Sequence, residues 1–191
     1  MSDSGLPPGD DALYAALETS LGRVVVQLFE REAPNTVVNF VGLATGRRAW
    51  RHPRTNEEMR APLYDGTLIH RVVPEFMVQL GDPFSRDDGD ASRVGTGGPG
   101  FTFPDEIGGA LRFDRPGRVA MATRRRPDSN GSQFFITEVA APHLNFQHTI
   151  FGEVVDGFEK VPKLTRVKAD LSGRPLEPVK LARVTITRGT Y

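Results

Sequence analysis

The chain has 191 residues, balances 24 Lys and Arg against 24 Asp and Glu, and contains no cysteine. This length fits one domain with a full core, and zero net charge lacks the overall field that attracts nucleic acids or anionic membranes. The absence of cysteine excludes disulfides and thiolate metal sites and is compatible with a reducing cytoplasm.

The first segment is polar and shows no targeting pattern. Residues 1–11 contain Pro7-Pro8-Gly9 but neither the basic nor the apolar region of a secretory signal. No apolar run in the chain approaches the roughly 20 residues that a membrane-spanning helix needs. We therefore predict a flexible leader over residues 1–11, one domain over residues 12–191, and a cytoplasmic protein that binds neither membranes nor nucleic acids.

The beginning of this domain predicts a strand pair and a helix. The stretch "LYAALETSLGRVVVQLFE" is rich in β-branched residues and turns at residues 20–22, which favours two antiparallel strands. In "APNTVVNFVGLATG" four apolar residues recur at helical spacing, namely Val37, Phe40, Val41 and Ala44. Pro34 suits the first turn and Gly46 the position after the last, so we predict a helix over Pro34–Thr45.

Beyond this helix the chain alternates loops and short strands. Residues 46–66 and 83–98 read as long polar loops, and six stretches read as strands: "TLIHRVV", "FMVQLGD", "GRVAMAT", "SQFFITEV", "TIFGEVV" and "LARVTITRG". A second helix starting near Asp156 must be short or shifted, because Pro162 removes an interior N–H. About eight short strands and two helices predict a mainly β protein, an antiparallel barrel or sandwich capped by helices.

Several motifs that could carry chemistry have a simpler structural explanation. The glycine-rich run at residues 95–100 lacks the Gly-Lys-Ser/Thr of a phosphate-binding loop, and the 4 histidines lack metal-ligand spacing. The basic run Arg124–Arg126 precedes Pro-Asp-Ser-Asn-Gly and is typical of a solvated turn, with contact to an acidic partner as the alternative. We therefore predict no metal and no cofactor.

Two of the predicted strands each place a glutamine and a large apolar side chain on one face. Alternation in "FMVQLGD" puts Met77 beside Gln79, and alternation in "SQFFITEV" puts Gln133 beside Phe135. If the intervening residues pack in the core, these faces form an apolar groove rimmed by amides, which suits an extended peptide. The alternative is that the arginine of "IHRVV" is an ordinary exposed residue and that the apolar residues of "EFMV" belong to the core.

Six motifs in chain order resemble the cyclophilin family of peptidyl-prolyl cis–trans isomerases: "IHRVVPEFMVQLGD", "GTGGPG", "FPDEI", "RVAMAT", "NGSQFFIT" and "HTIFGEV". The likeness runs from about Leu13 to Thr187. It implies a closed eight-stranded antiparallel β-barrel capped by two α-helices. It also implies a monomeric, cofactor-independent enzyme that accelerates rotation about X–Pro bonds, with proline-containing peptides and unfolded protein clients as partners.

The resemblance also assigns site residues. Arg71 matches the catalytic arginine of the family, and Gln79 would fix the direction of its guanidinium. The residues that match substrate-binding positions are Phe76, Met77, Ala122, Thr123, Gln133, Phe135, His143, Leu144 and His148. Thr123 departs from the usual asparagine, and His143 stands where cyclosporin-sensitive members carry tryptophan. We therefore expect catalysis to be kept and cyclosporin A to bind weakly.

The chemistry of proline isomerisation agrees with this composition. The rotation barrier of about 18–20 kcal/mol comes from amide resonance, and crossing it breaks no bond between heavy atoms. A donor such as Arg71 that binds the twisted imide nitrogen better than the planar one would lower the barrier without a metal or a nucleophile. The alternative function is a module that binds or chaperones proline-containing segments with little turnover.

Overall fold

The computed structural model describes residues 9, 11–87, 89–124 and 126–191. Most of the predicted leader (residues 1–8 and 10) and the middle of the basic run 124–126 lie outside the described residues. The regular elements are β1 Leu13–Thr19, β2 Gly22–Leu28, α1 Pro34–Thr45, β3 Trp50–Arg51, β4 Glu58–Met59, β5 Thr67–Leu68, β6 Arg71–Val73, β7 Met77–Leu80, β8 Arg118–Met121, β9 Phe134–Thr137, β10 Ile150–Asp156, α2 Val161–Thr165 and β11 Lys180–Arg188. Short 3-10 helices lie at Pro83–Ser85, Ala91–Arg93, Pro142–Leu144 and Phe158–Lys160.

A single antiparallel sheet dominates the fold. Within the described residues it has nine strands in the order β5-β11-β1-β2-β10-β8-β9-β7-β6, and it curls into a half-barrel. The mainly β class and the two helices agree with the prediction. The closed barrel of eight strands is wrong, both in the number of strands and in the closure.

The reason for this difference lies in the predicted strand "TLIHRVV", which is divided into β5 and β6 at opposite edges of the sheet. The chain changes its hydrogen-bond partner between two neighbouring residues. The Ile69 N–H donates to the Val179 carbonyl at 2.9 Å, whereas the His70 N–H donates to the Gln79 carbonyl on β7 at 3.1 Å. Because each half pairs with a different neighbour, β5 and β6 form no ladder with each other in the described part of the chain.

Helix α1 has the predicted bounds and ends at Gly46, whose φ is 73°. Its predicted apolar face is buried in the main core: Val37, Phe40, Val41 and Ala44. Ala33 offers no side chain to cap the first turn. The Glu106 carboxylate replaces it, accepting from the backbone N–H groups of Asn35 at 3.1 Å and Thr36 at 2.9 Å. A negative charge at this end of a helix also complements the helix dipole.

The second helix agrees with the prediction, whereas the first long loop does not. Helix α2 is short, as predicted, and Pro162 lies in its first turn, where a missing N–H leaves no bond unmade. Residues 46–66 were predicted to be a surface loop, but they contain the β3–β4 hairpin. Trp50 on this hairpin is buried, and its indole N–H donates to the Ala61 carbonyl at 2.8 Å. Among the described residues, no helix has the length and apolar character needed to span a bilayer.

Candidate active site

The sheet carries a separate apolar cluster on each face. The residues between the predicted groove residues belong to the main core: Val78, Leu80, Phe134 and Ile136. Met77 and Phe135 instead belong to a second cluster, together with Phe113, Ala120, Ala141 and Ile150. The predicted alternation along β7 and β9 is therefore confirmed, and the alternative in which Met77 joins the main core is wrong.

A cavity of about 730 Å³ opens on the second cluster. The predicted site residues that line it are Arg71, Phe76, Met77, Gln79, Ala122, Thr123, Phe135, Leu144 and His148. Two others lie beside it. Gln133 lines an adjoining cleft, and the exposed ring of His143 lies 5.4 Å from the ring of Phe76.

Strands β6 and β7 place Arg71 directly opposite Gln79 in the ladder. Arg71 is exposed, and its guanidinium has no hydrogen bond or ion pair with any residue that the structure describes. Gly173 runs close behind it: its carbonyl accepts from the Val72 N–H at 2.8 Å, and a Cβ at Gly173 would lie 2.6 Å from the Val72 oxygen. Because the guanidinium has no partner among the described residues, its five N–H donors remain available to a ligand in the cavity.

Gln133 fixes the direction of the amide of Gln79. Its Oε1 accepts from Gln79 Nε2 at 2.8 Å and from His70 Nε2 at 3.1 Å. Because this oxygen can only accept, His70 carries its proton on Nε2. Burial lowers the pKa of His70 and outweighs the nearby Asp82, which raises it, so the ring is neutral at neutral pH.

Asp82 is the fully buried end of the same network. One carboxylate oxygen accepts from the Phe84 N–H at 2.7 Å, and the other accepts from the N–H groups of Gly95 and Gly97 at 2.5 and 3.0 Å. The Nε2 of Gln133 lies 3.3 Å from this second oxygen and 2.9 Å from the Gly97 carbonyl. Backbone groups of the glycine-rich loop thus hold the side chains of Asp82 and Gln133 in place.

The apolar wall is held by ring contacts. Phe113 stacks on Phe135 at a centroid distance of 5.9 Å and an interplanar angle of 11°, and His148 meets the same ring edge-on at 5.2 Å. His148 Nδ1 donates to the Met121 carbonyl at 2.9 Å. Burial lowers the pKa of His148, with opposing contributions from this hydrogen bond and from Asp105.

Two histidines of the site, the buried His70 and the half-buried His148, predict a fall in stability on mild acidification. Both have an ordinary pKa of 6.5 that burial lowers in the folded chain. Below pH 6.5 the unfolded chain binds protons that the folded chain does not, so the free energy of unfolding decreases as the pH falls. The slope is at most about 1.4 kcal/mol per pH unit for each histidine. Urea unfolding between about pH 7.5 and 5.5 measures it.

His148→Gln should reduce this slope, whereas His143→Gln is the matched control because that side chain is exposed. An equal slope in the wild type and in His148→Gln would contradict the assignment.

Several residues of the site were missed by sequence reasoning, among them Asp82 and Phe146. Asp82 acts through Gly95 and Gly97, which are 13 and 15 positions away, so no local pattern marks it. Phe146 lines the cavity and is exposed, and neither the strand pattern nor the family motifs mark this position. The structure distinguishes Phe146 by its positive φ of 62°, which cannot be read from the sequence.

An adjoining cleft of about 890 Å³ extends the cavity. The two share Gln79, Gly95, Ala122 and Thr123, and the cleft is also lined by three arginines: Arg51, Arg93 and Arg124. The cavity and the cleft are therefore continuous, and we call them together the groove. In the part of the chain that the structure describes, no group of three or more His, Cys, Asp and Glu is arranged to hold a metal ion.

Comparison with known proteins gives a consistent result. The model of the family described as cyclophilin type peptidyl-prolyl cis-trans isomerase/CLD matches residues 14–186. Peptidyl-prolyl cis-trans isomerase A of Mycobacterium tuberculosis is 42% identical over 175 residues, covering 91% of each chain. Peptidyl-prolyl cis-trans isomerase B of Streptomyces anulatus is 43% identical over 184 residues, covering 92% of this chain and 97% of the relative.

Solved structures agree with these relatives. The crystal structure of a cyclophilin-type peptidyl-prolyl cis-trans isomerase from Cryptosporidium parvum superposes with a TM-score of 0.77 at 29% identity, covering 94% of this chain and 99% of that one. A second structure of that protein, in the presence of the dipeptide Ala-Pro, gives a TM-score of 0.76 at 30% identity, covering 92% and 99%. The present chain therefore belongs to the cyclophilin-type peptidyl-prolyl cis–trans isomerases.

Proposed function

We propose that this isomerase acts on X–Pro bonds of peptides and folding proteins that lie in the groove, and that Arg71 is its catalytic donor. The observation that carries the proposal is the exposed guanidinium of Arg71, which has no partner among the described residues and stands on the rim of an apolar cavity. We also propose that residues 12–191 suffice for the activity.

The chemistry requires a donor that recognises the twisted bond. When the amide rotates out of plane, the prolyl nitrogen regains its lone pair and can accept a hydrogen bond, whereas the planar nitrogen cannot. A donor aimed at this nitrogen binds the transition state more tightly than either isomer. The guanidinium is always charged, and the apolar surroundings strengthen its effect. Gln79 lies opposite Arg71 in the strand ladder with its amide fixed by Gln133, and we assign it the role of directing the guanidinium towards the bound peptide.

The apolar wall would hold the proline ring while the acyl side turns. We assign this role to Phe76, Met77, Phe135 and Leu144, with His148 at the edge of the pocket. The backbone of Ala122 and the side chains of Thr123 and Gln133 would bind the peptide on the side of the adjoining cleft. Ala122 N–H is engaged with the Gln133 carbonyl at 3.0 Å, so its carbonyl is the group left for the peptide.

The rate of cis–trans exchange in a short proline peptide tests this function. A protease-coupled assay on the purified chain should show exchange far faster than the uncatalysed tens to hundreds of seconds. The alternative, a binding module with little turnover, predicts peptide-induced shifts in NMR spectra without faster exchange between the isomers. The second result would overturn the enzymatic proposal.

Replacing His143 by tryptophan is predicted to tighten the binding of cyclosporin A by about tenfold. The His143 ring lies against Phe76, so a larger ring there would extend the apolar rim and supply an indole N–H donor. Inhibition of the isomerase assay measures the change. Leu21→Trp, a substitution at an exposed leucine outside the cavity, is the control. Equal inhibition of the wild type and His143→Trp would show that this position does not face the inhibitor.

A further inference from the structure

Phe146 presents a large aromatic ring to the cavity from an unusual backbone. The residue is 57% exposed and lines the cavity that also contains Arg71 and Leu144. Its φ of 62° lies in the left-handed region, which is unfavourable for any residue with a Cβ and rare for a bulky one. Such strain persists only where neighbouring contacts enforce it, and it concentrates at functional sites.

The turn around Phe146 is held by its neighbours. The Gln147 N–H donates to the Leu144 carbonyl at 3.1 Å, and Asn145 Oδ1 accepts from the Phe113 N–H at 2.8 Å. These bonds tie the turn to the residue that stacks on Phe135. The position of the Phe146 ring is therefore linked to the wall of the proline cavity.

Arg112 fixes the ring from one side. Its guanidinium carbon lies 4.1 Å from the ring centroid, and its Nη1 donates to the carbonyls of Gly109 and Leu111 at 2.7 and 2.8 Å. Ile107 lines the same cavity as Phe146. We call Phe146 and Ile107, the two apolar residues on this part of the cavity lining, the apolar shelf, and the Arg112 cation packs on the ring of Phe146.

The cavity has room for more than a proline ring. Its volume of about 730 Å³ lies within the range of roughly 300–1000 Å³ that holds drug-sized ligands. Phe146 is two positions from Leu144, so its shelf adjoins the wall assigned to proline. A side chain next to proline in the peptide is the substrate group that reaches it.

We propose that Phe146 determines specificity by receiving a large apolar side chain on the residue immediately before or after the proline. This inference rests on the proposed function. Phe146 and Ile107 offer ring and aliphatic surface on a cavity wall that also carries Asp105 and Arg126, so the favoured substrates are those with phenylalanine or leucine beside the proline. Peptides with alanine there gain nothing from Phe146.

Two peptide series test the inference, one varying the residue before proline and one the residue after it among Phe, Leu and Ala. Phe146→Gly should lower kcat/KM for the Phe peptide of at least one series by about threefold to tenfold, as expected for loss of an aromatic contact. Selectivity, measured as the ratio of kcat/KM between the Phe and Ala peptides of that series, should fall by a similar factor. Phe146→Leu should restore part of the selectivity, and Leu21→Ala, an exposed leucine outside the cavity, should change neither series.

Thermal unfolding separates specificity from a structural role. Glycine accepts the left-handed backbone without strain, so the midpoint of Phe146→Gly should equal or exceed that of the wild type while selectivity falls. A lower unfolding midpoint of Phe146→Gly together with an equal loss of kcat/KM for all peptides would overturn the inference. Unchanged selectivity in both peptide series would overturn it as well. Failure of the wild type to act on any peptide would instead overturn the proposed function.

Discussion

Replacing Arg71 by alanine is expected to lower kcat/KM for a proline peptide by about 10- to 1000-fold, the range for loss of a donor to the transition state. The guanidinium has no bond to lose within the described residues, so the free energy of unfolding should change by less than about 0.5 kcal/mol. Protease-coupled isomerisation and urea unfolding measure the two quantities.

Two further variants sharpen this test. Arg71→Lys keeps the charge but loses the planar fork, so it should recover only part of the rate. Arg183→Ala removes an exposed strand arginine that does not line the cavity, and it should behave as the wild type. Full activity in Arg71→Ala would remove this residue from the mechanism and leave the apolar wall to explain catalysis alone.

Replacing Asp82 by alanine is expected to lower the free energy of unfolding by about 3–5 kcal/mol. The variant leaves the buried N–H groups of Phe84 and Gly97 and the part-buried N–H of Gly95 without their carboxylate acceptor. Activity should fall as well, because Gln133 loses one of the groups that fix its amide. Urea unfolding followed by circular dichroism measures stability, and the peptide assay measures activity.

The chain supplies a matched control for this variant. Asp90 also caps a 3-10 helix, accepting from the Ser92 N–H at 3.0 Å, but it lies at the surface. Asp90→Ala should therefore have a much smaller effect. If Asp82→Ala does not fold, Asp82→Asn keeps one acceptor oxygen and should fall between the alanine variant and the wild type. Equal stability of the Asp82→Ala and Asp90→Ala variants would contradict the role of the buried network.

The polar groups of the site keep their protonation states during the reaction. Arg71 is charged at every relevant pH, and burial keeps His70 and His148 neutral at neutral pH. The amide of Gln79 is directed by its hydrogen bond to Gln133, and the amide of Gln133 is directed by Asp82 and the Gly97 carbonyl. This arrangement suits a reaction that rotates a bond and moves no proton.

Local periodicity and motif content were sufficient for a large part of the fold and of the site. Helix α1 was predicted with its observed bounds because its apolar spacing, Pro34 and Gly46 all indicate the same segment. The two faces of β7 and β9 were predicted because side chains alternate in any strand, so Met77 and Phe135 had to lie apart from the core residues between them. The family motifs then assigned the residues that line the cavity.

Tertiary structure alone decided where strands find their partners and which distant groups meet. The segment "TLIHRVV" has one continuous β pattern, yet Ile69 bonds towards Val179 and His70 towards Gln79, so a closed eight-stranded barrel was the wrong expectation. The Asp82 network and the left-handed backbone of Phe146 were likewise hidden. Hydrogen bonds across many positions and a φ angle enforced by neighbouring contacts depend on how the chain folds back on itself, and no local sequence period records that.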